Sequence, residues 1–336
     1  MNIGLILLAA LLSVSLLFTA CTGAASADET IATTTEAVTT AAATETTTET
    51  TTAATTEPTT ETTTAATEPA AEDVFYDDFS GDTLDETKWI PANRSWGGWI
   101  EEDGVRKDYN GGVVPANVSV RDGKLILTGH GNRYTGDVPG IWRDGSVRED
   151  GIRTGACVYT REFYGSGTYE VYARISPEPG GCSAIWTFEW EQEPLTGHVI
   201  NHEIDIELPG RPGAEIRDMD FDYALCNTWI GEESNECTVN YQHLPTRVDD
   251  GEYHLFRFDW HTGDKETGEK KRVDFYLDGE YLCTSTRFVP TNPGQLWLGL
   301  WFPLNWAGEP DFDTSTFEID WVRITPYHES GDTPAE

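Results

Sequence analysis

Glu203, Asp205 and Glu207 stand on alternate positions of the stretch HEIDIELPG, His202 to Gly210, with Ile204 and Ile206 between them. In a β-strand successive side chains point to opposite faces, so the three acids share one face while Ile204, Ile206 and Leu208 share the other. At a rise of about 3.3 Å per residue the two glutamates start about 13 Å apart at their Cα atoms, and side chains leaning inward can bring the carboxyl groups to the roughly 5 to 5.5 Å needed for double displacement at an anomeric carbon. One glutamate would attack that carbon while the other, kept protonated, gives its proton to the leaving oxygen. Asp205 between them would tune both, because like charges this close raise one another's pKa and so keep a proton on an acid near neutral pH. From spacing alone two further readings stay open, a solvated polar face and a calcium site.

Such a strand needs a sheet to hold it. Strand-like stretches recur beyond Val74: KLILTG from Lys124, GTYEVYARI from Gly167, AIWTFEW from Ala184, HEIDIEL from His202, YHLFRFDW from Tyr253, VDFYLDG from Val273, LWLGLW from Leu296 and FEIDWVRI from Phe317. Gly, Pro, Asn and Asp clusters separate them, and no segment keeps a 3.6-residue apolar period for more than two turns. The pattern predicts an all-β domain, an antiparallel two-sheet sandwich whose long curved strands offer one concave polar face.

The 336 residues carry 22 basic and 58 acidic side chains, a net charge of -36. That balance argues against nucleic acid or an anionic membrane surface as a partner, since both would be repelled, and leaves a neutral ligand unaffected. Twelve Trp, 13 Tyr and 13 Phe supply flat faces that suit sugar rings as well as a core.

The apolar run Ile3 to Ala20 ends at Cys21, which predicts a lipoprotein-type signal peptide over 1–21 with lipidation of Cys21. No Lys or Arg precedes Lys88, a departure from the usual positive leader, and a membrane-spanning helix of about 18 residues is the alternative. Residues 22–73 are almost entirely Thr, Ala, Glu and Pro, too poor in apolar surface to offset the entropy of ordering; they predict a linker, either an extended and glycosylated stalk or a plain tether. The folded domain is then expected over 74–328 and a flexible tail over 329–336, in a monomeric cell-surface lipoprotein outside the cytoplasm that touches the membrane only through its anchor. Of the five other cysteines, Cys226 and Cys237 flank a short polar loop and are candidates for a hairpin disulfide, with buried free thiols the alternative; Cys157, Cys182 and Cys283 suggest no zinc site.

The motif EIDIE resembles the signature of glycoside hydrolase family 16, whose members fold as a concanavalin A-like jelly roll and cleave β-linked polysaccharides with retention. FSGDTLDETKW, DGKLIL, YGSGTYEVYARI, FRFDW followed by VDFYLDG, LGLWFP and FEIDWVRITPY resemble further family landmarks in order, from about Val74 to Tyr327. The resemblance implies Glu203 as nucleophile, Asp205 as assisting carboxylate and Glu207 as general acid/base. One residue separates Asp205 from Glu207, similar to lichenases and xyloglucan-acting members with a regular catalytic strand, whereas many laminarinases and agarases insert a residue that makes a bulge. That leans towards a glucan cut at a β-1,4 bond. Asn201 stands where lichenases carry Trp, and their Glu and Arg before the YG-G turn have no match around Cys157 and Tyr159.

The implied substrate is a β-glucan, mixed-linkage β-1,3-1,4 or β-1,3, cut internally. Xyloglucan, a galactan, a non-catalytic carbohydrate-binding lipoprotein of the same fold and an adhesive surface protein are the alternatives. The resemblance places Trp186, Asn227, Trp229 and Trp301 along the cleft and Trp96 and Trp99 on an outer platform, with Trp260 and Trp321 expected in the core. His202 is expected either to orient the acids or to make a structural hydrogen bond. Catalysis would need no cofactor, and the resemblance implies a structural calcium ion held by main-chain oxygens and a late aspartate, at Asp78, Gly123 and Asp320.

Overall fold

The computed structural model describes residues 74–334 except 96–97, 101–105, 109–111, 138–152, 193–198, 211–219, 232–236 and 304–306. The expected signal segment over 1–21 with Cys21, the linker over 22–73, and Trp96 lie outside the described residues.

The described chain is nearly all β. In order it forms β1 (Phe75–Asp77), β2 (Trp89–Pro91), β3 (Arg94–Ser95), β4 (Gly98–Ile100), β5 (Arg106–Asp108), β6 (Gly112–Val113), β7 (Val118–Arg121), β8 (Lys124–His130), β9 (Thr154–Thr160) and β10 (Gly167–Arg174). There follow β11 (Cys182–Gln192), β12 (Val199–Leu208), β13 (Tyr223–Gly231), β14 (Cys237–His243), β15 (His254–His261), β16 (Arg272–Leu277), β17 (Glu280–Ser285), β18 (Gln295–Trp301) and β19 (Thr314–Pro326). Every stretch read as a strand from its alternation is one. The short strands β1 to β7, and β9, β13, β14 and β17, were not expected; TGACVYT and YALCNTWIG are buried on both faces and so do not alternate.

Antiparallel pairing in the order β14, β13, β12, β11, β18, β9, β2 builds one sheet. The other runs β17, β16, β15, β10, β19, with β1 and β8 on the far edge of β19 and β7 beyond β8. At its start β9 joins the two, Thr154 pairing with His130 of β8. Between the layers lies one core: Ile204, Ile206 and Leu208 of β12 and Leu296, Leu298 and Leu300 of β18 meet Phe256, Phe258 and Trp260 of β15 and Phe317, Ile319, Val322 and Ile324 of β19. Burying these alternate apolar residues is what fixes strand register, since a slip by one residue would turn the whole set outward. This is the expected jelly-roll sandwich.

Three expectations are corrected. Trp260 is core, its Nε1 donating to the Pro290 carbonyl at 2.9 Å, but Trp321 is only half-buried, stacked on Tyr172. A bulge opposite Tyr172 and Ala173 inserts a residue in β19, so Ile319 and Val322 both face inward and Trp321 is turned out. The tail expected from 329 is tied down as far as Thr333. The buried Glu329 takes the Gly263 N–H at 2.8 Å and sits 2.7 Å from His261 Nδ1, Asp332 accepts from Ser166 and Thr262, and the Thr333 N–H bonds the Thr291 carbonyl. Cys226 is a free buried thiol: it pairs with Asn240 while Cys237 pairs with Trp229, an offset of three positions or about 10 Å along the ladder, beyond disulfide reach.

Candidate active site

The catalytic candidates sit mid-sheet. On one side β12 pairs with β11 from Ser183/Leu208 to Gln192/Val199, and on the other with β13 from Asn201/Gly231 to Glu207/Leu225, with no break in register on either side. Glu203 therefore lies between Phe188 and Trp229, Asp205 between Trp186 and Asn227, and Glu207 between Ala184 and Leu225. All three acids share the face away from the core, and the strand has no bulge, as the spacing predicts.

Each carboxyl has a different setting. Asp205 is buried and accepts the Trp229 indole N–H at 2.9 Å. Half-buried Glu203 accepts the Asn201 amide at 2.7 Å and is hydrogen-bonded to Asp205. Half-buried Glu207 has Cys182 Sγ 4.0 Å from its Oε1.

Desolvation raises all three pKa values, because burial penalises the charged form. In Asp205 the charges of Glu203 and Glu207 add to it, pushing the carboxyl well up. Glu207 is raised by burial and then by Glu203, to about 8. Glu203 is raised by burial alone, and the hydrogen bonds from Asn201 and Asp205 pull it back. Burial thus works against charge on all three acids, and the hydrogen bonds from Asn201 and Asp205 favour the carboxylate form of Glu203.

An aromatic floor extends from the acids across β11, β18 and β9. Trp186 pairs with Trp297, which pairs with Tyr159, and the rings stack at centroid distances of 5.5 and 4.1 Å. The Arg94 guanidinium lies 5.9 Å from the Trp297 ring centroid. A Cβ on Gly299 would come within 2.3 Å of Cys157 Sγ and 3.1 Å of the Trp186 ring, so the glycine is what lets Trp186 lie flat there. Beside Phe188 and Trp297 a cavity of about 390 Å³ opens, lined also by Asn93, Arg94, Tyr159 and Trp190.

Of the expected cleft residues, Trp186, Asn227 and Trp229 flank the acids directly, and half-buried Trp301 lies opposite Cys182 on the same face. The buried Asn227 Oδ1 has no partner. Trp99 lies on β4, in a two-stranded sheet with β5. His202 has the parity of the isoleucines and is buried on the face away from the acids. Sequence reasoning missed Trp297, Phe188, Tyr159, Arg94 and the bond from Asn201. Alternation in LWLGLW carried a signal, since it puts Trp297 on the face of Trp301; Arg94 enters from a two-residue strand and left none.

The calcium candidates have the following surroundings. Asp320 is paired with the Lys124 ammonium at 2.9 Å, and Asp78 accepts the Ser80 N–H at 3.1 Å. Gly123 supplies the left-handed turn between β7 and β8, with φ at +69°. Among the described residues no three His, Cys, Asp or Glu side chains converge on a metal position.

Fold and site together define a jelly-roll sandwich with three carboxylates on one face of an interior strand. Residues 107–323 match the model of glycosyl hydrolases family 16, and the chain belongs to that family. It is 27% identical to a beta-glucanase of Acetivibrio thermocellus over 227 residues, 66% of this chain and 56% of that protein. A beta-glucanase of Paenibacillus macerans is 26% identical over 244 residues, 70% of this chain and 87% of the relative. The chain thus spans little more than half the length of the Acetivibrio relative. A β-1,3-1,4-glucanase (lichenase) from a mouse hindgut metagenome superposes with a TM-score of 0.55 at 22% identity, covering 75% of this chain and 99% of that one. The Bacillus licheniformis beta-glucanase gives 0.54 at 21%, covering 75% and 97%. At these identities the superpositions establish the fold.

Proposed function

We propose that this protein is a retaining, endo-acting glycoside hydrolase of β-glucan. The observation that carries it is the unbroken β12, which presents Glu203, Asp205 and Glu207 together on the face away from the core. Glu203, whose carboxylate form the hydrogen bonds from Asn201 and Asp205 favour, attacks the anomeric carbon. Glu207, whose pKa stands near 8, protonates the departing glycosidic oxygen as the C–O bond breaks. The glycosyl ester on Glu203 is then hydrolysed by a water that gives its proton to the Glu207 carboxylate, restoring both groups. Asp205 holds its proton between the two glutamates and donates a hydrogen bond to Glu203, steadying the carboxylate as it becomes the leaving group. A mere sugar-binding surface would gain nothing from desolvating three adjacent acids.

The regular strand, the aromatic floor and the names of the relatives support mixed-linkage β-1,3-1,4-glucan, cut at a β-1,4 bond, as the substrate. A floor running across several strands suits an internal stretch of chain. The test is to incubate the protein with lichenan, laminarin, xyloglucan and agarose and identify the oligosaccharides released. Oligosaccharides of increasing size range from lichenan, absent with Glu203→Gln, are expected; release from agarose alone would overturn the substrate, and full activity of Glu203→Gln the mechanism. We further propose that Cys21 carries a lipid and residues 22–73 act as the tether, read by metabolic labelling with a fatty acid that Cys21→Ser abolishes.

A further inference from the structure

We propose that Cys226 and Cys283 form a redox pair that closes into a disulfide between the two sheets on meeting a low-molecular-weight disulfide oxidant. Both thiols are free, and they lie within hydrogen-bond reach of each other. The fold sets that approach. Cys226 and Thr228 share the core face of β13, behind Ile206 and Ile204, while Cys283 and Ser285 share the core face of β17, opposite Phe275 and Val273. Two residues along each strand from the thiols, Thr228 Oγ1 and Ser285 Oγ are 2.6 Å apart, and the Thr228 hydroxyl donates to the Arg287 carbonyl at 2.8 Å. The two strands are thus held together beside the cysteines by this hydroxyl pair, and a disulfide there would need Cβ atoms about 3.5 to 4.5 Å apart.

The two sulfurs differ in access. Cys283 is half-buried and Cys226 wholly buried, so a soluble oxidant meets Cys283 first. The hydrogen bond from Cys226 holds the Cys283 thiol below its usual range, favouring the attacking thiolate. That thiolate attacks one sulfur of the oxidant, expelling one small thiol and leaving a mixed disulfide on Cys283. The buried Cys226 thiol then attacks Cys283 Sγ, its proton passing to the departing small thiolate, which leaves as the second thiol. Two protein thiols have given up two electrons, and one oxidant disulfide has become two thiols. The bridge would pin β13, which carries Asn227 and Trp229 beside the acids, to the outer sheet, and would close a long loop.

Treating the full chain with oxidised glutathione and mapping its peptides without reduction tests this. The expected result is a linked Cys226–Cys283 peptide, a thiol count in denaturant lower by two, and a Tm higher by roughly 5 to 10 °C that dithiothreitol reverses. Cys283→Ser, a change at a half-buried position, should melt where the reduced wild type does and gain nothing from the oxidant. An oxidised chain that keeps all its thiols, stops at a glutathione adduct on Cys283, or links another pair overturns the proposal; each outcome is read on the wild-type protein, so none depends on how a variant folds.

Discussion

On the outer sheet Glu170 lies 2.6 Å from the Arg323 guanidinium, Glu318 2.6 Å from Arg174 and Asp274 2.6 Å from Arg272, whereas on the concave sheet Glu203 and Asp205 are held by an amide and an indole. The consequence is visible in the acids themselves. Burial raises the Glu318 pKa, but hydrogen bonds from Tyr253 and Arg174 outweigh it and bring the carboxyl below its usual value. In the cleft no cation among the described residues offsets desolvation, and all three carboxyls are raised. Glu318 is thus lowered where a guanidinium joins a neutral donor, while the three acids of β12, with neutral donors only, are raised.

After loss of the nucleophile itself, the most damaging change to the cleft side should be Glu207→Gln, which keeps the shape and removes the transferable proton. A loss of kcat/KM of about 10²- to 10⁴-fold on lichenan is expected. In the wild type, activity should fall as pH rises through about 8, where Glu207 loses its proton, and this limb should be absent from the residual activity of the variant. The same substitution should raise Tm. An acid whose folded pKa lies above its unfolded value costs stability increasingly as pH climbs between the two, so the gain should be larger at pH 8 than at pH 5. Equal gains at both would show that Glu207 is not the desolvated acid described.

A smaller effect is expected from Asn201→Ala. Removing the amide that holds Glu203 ionised should move the acidic limb of the kcat/KM profile to higher pH and leave the basic limb in place, with a loss of roughly 10-fold at neutral pH. If both limbs shift together, Asn201 acts on the whole cluster and not on the nucleophile.

Both faces of this comparison were partly legible beforehand. Glu203, Asp205 and Glu207 could be placed on one face because strand alternation is strict and Ile204 and Ile206 must be buried. The eight alternating stretches gave the sandwich for the same reason. Trp321 broke the rule because a bulge changes the phase of β19, and no residue in FEIDWVRI announces it. The Glu170–Arg323 and Glu318–Arg174 pairs of the outer sheet, and Arg94 over Trp297, join residues far apart in the chain, where spacing carries no information; Arg272 and Asp274, two apart on one strand, did lie within reach of the alternation. Asn201 was noticed as a departure from relatives; that it donates to Glu203 depends on both residues lying on one strand face two positions apart, which the alternation did contain.

On the outer side Arg323→Ala should lower Tm by a few degrees at most, since a partly exposed pair contributes about 0.2 to 1 kcal/mol, and should leave kcat/KM unchanged. A loss of activity there would mean that the two sheets are energetically coupled and the comparison too sharp.

The least effect is expected at Lys124. Its ammonium holds Asp320 at 2.9 Å, taking up the carboxylate that a calcium ion bound with Asp78 and Gly123 would need. Because an ammonium and a hard cation compete for the same oxygens, millimolar calcium should raise the Tm of Lys124→Ala more than that of the wild type. Neither protein should gain activity, because the ion would bridge the chain's first and last strands on the side away from the acids. An equal response in both would place calcium elsewhere, and a gain in activity would move the metal from the structural face to the cleft.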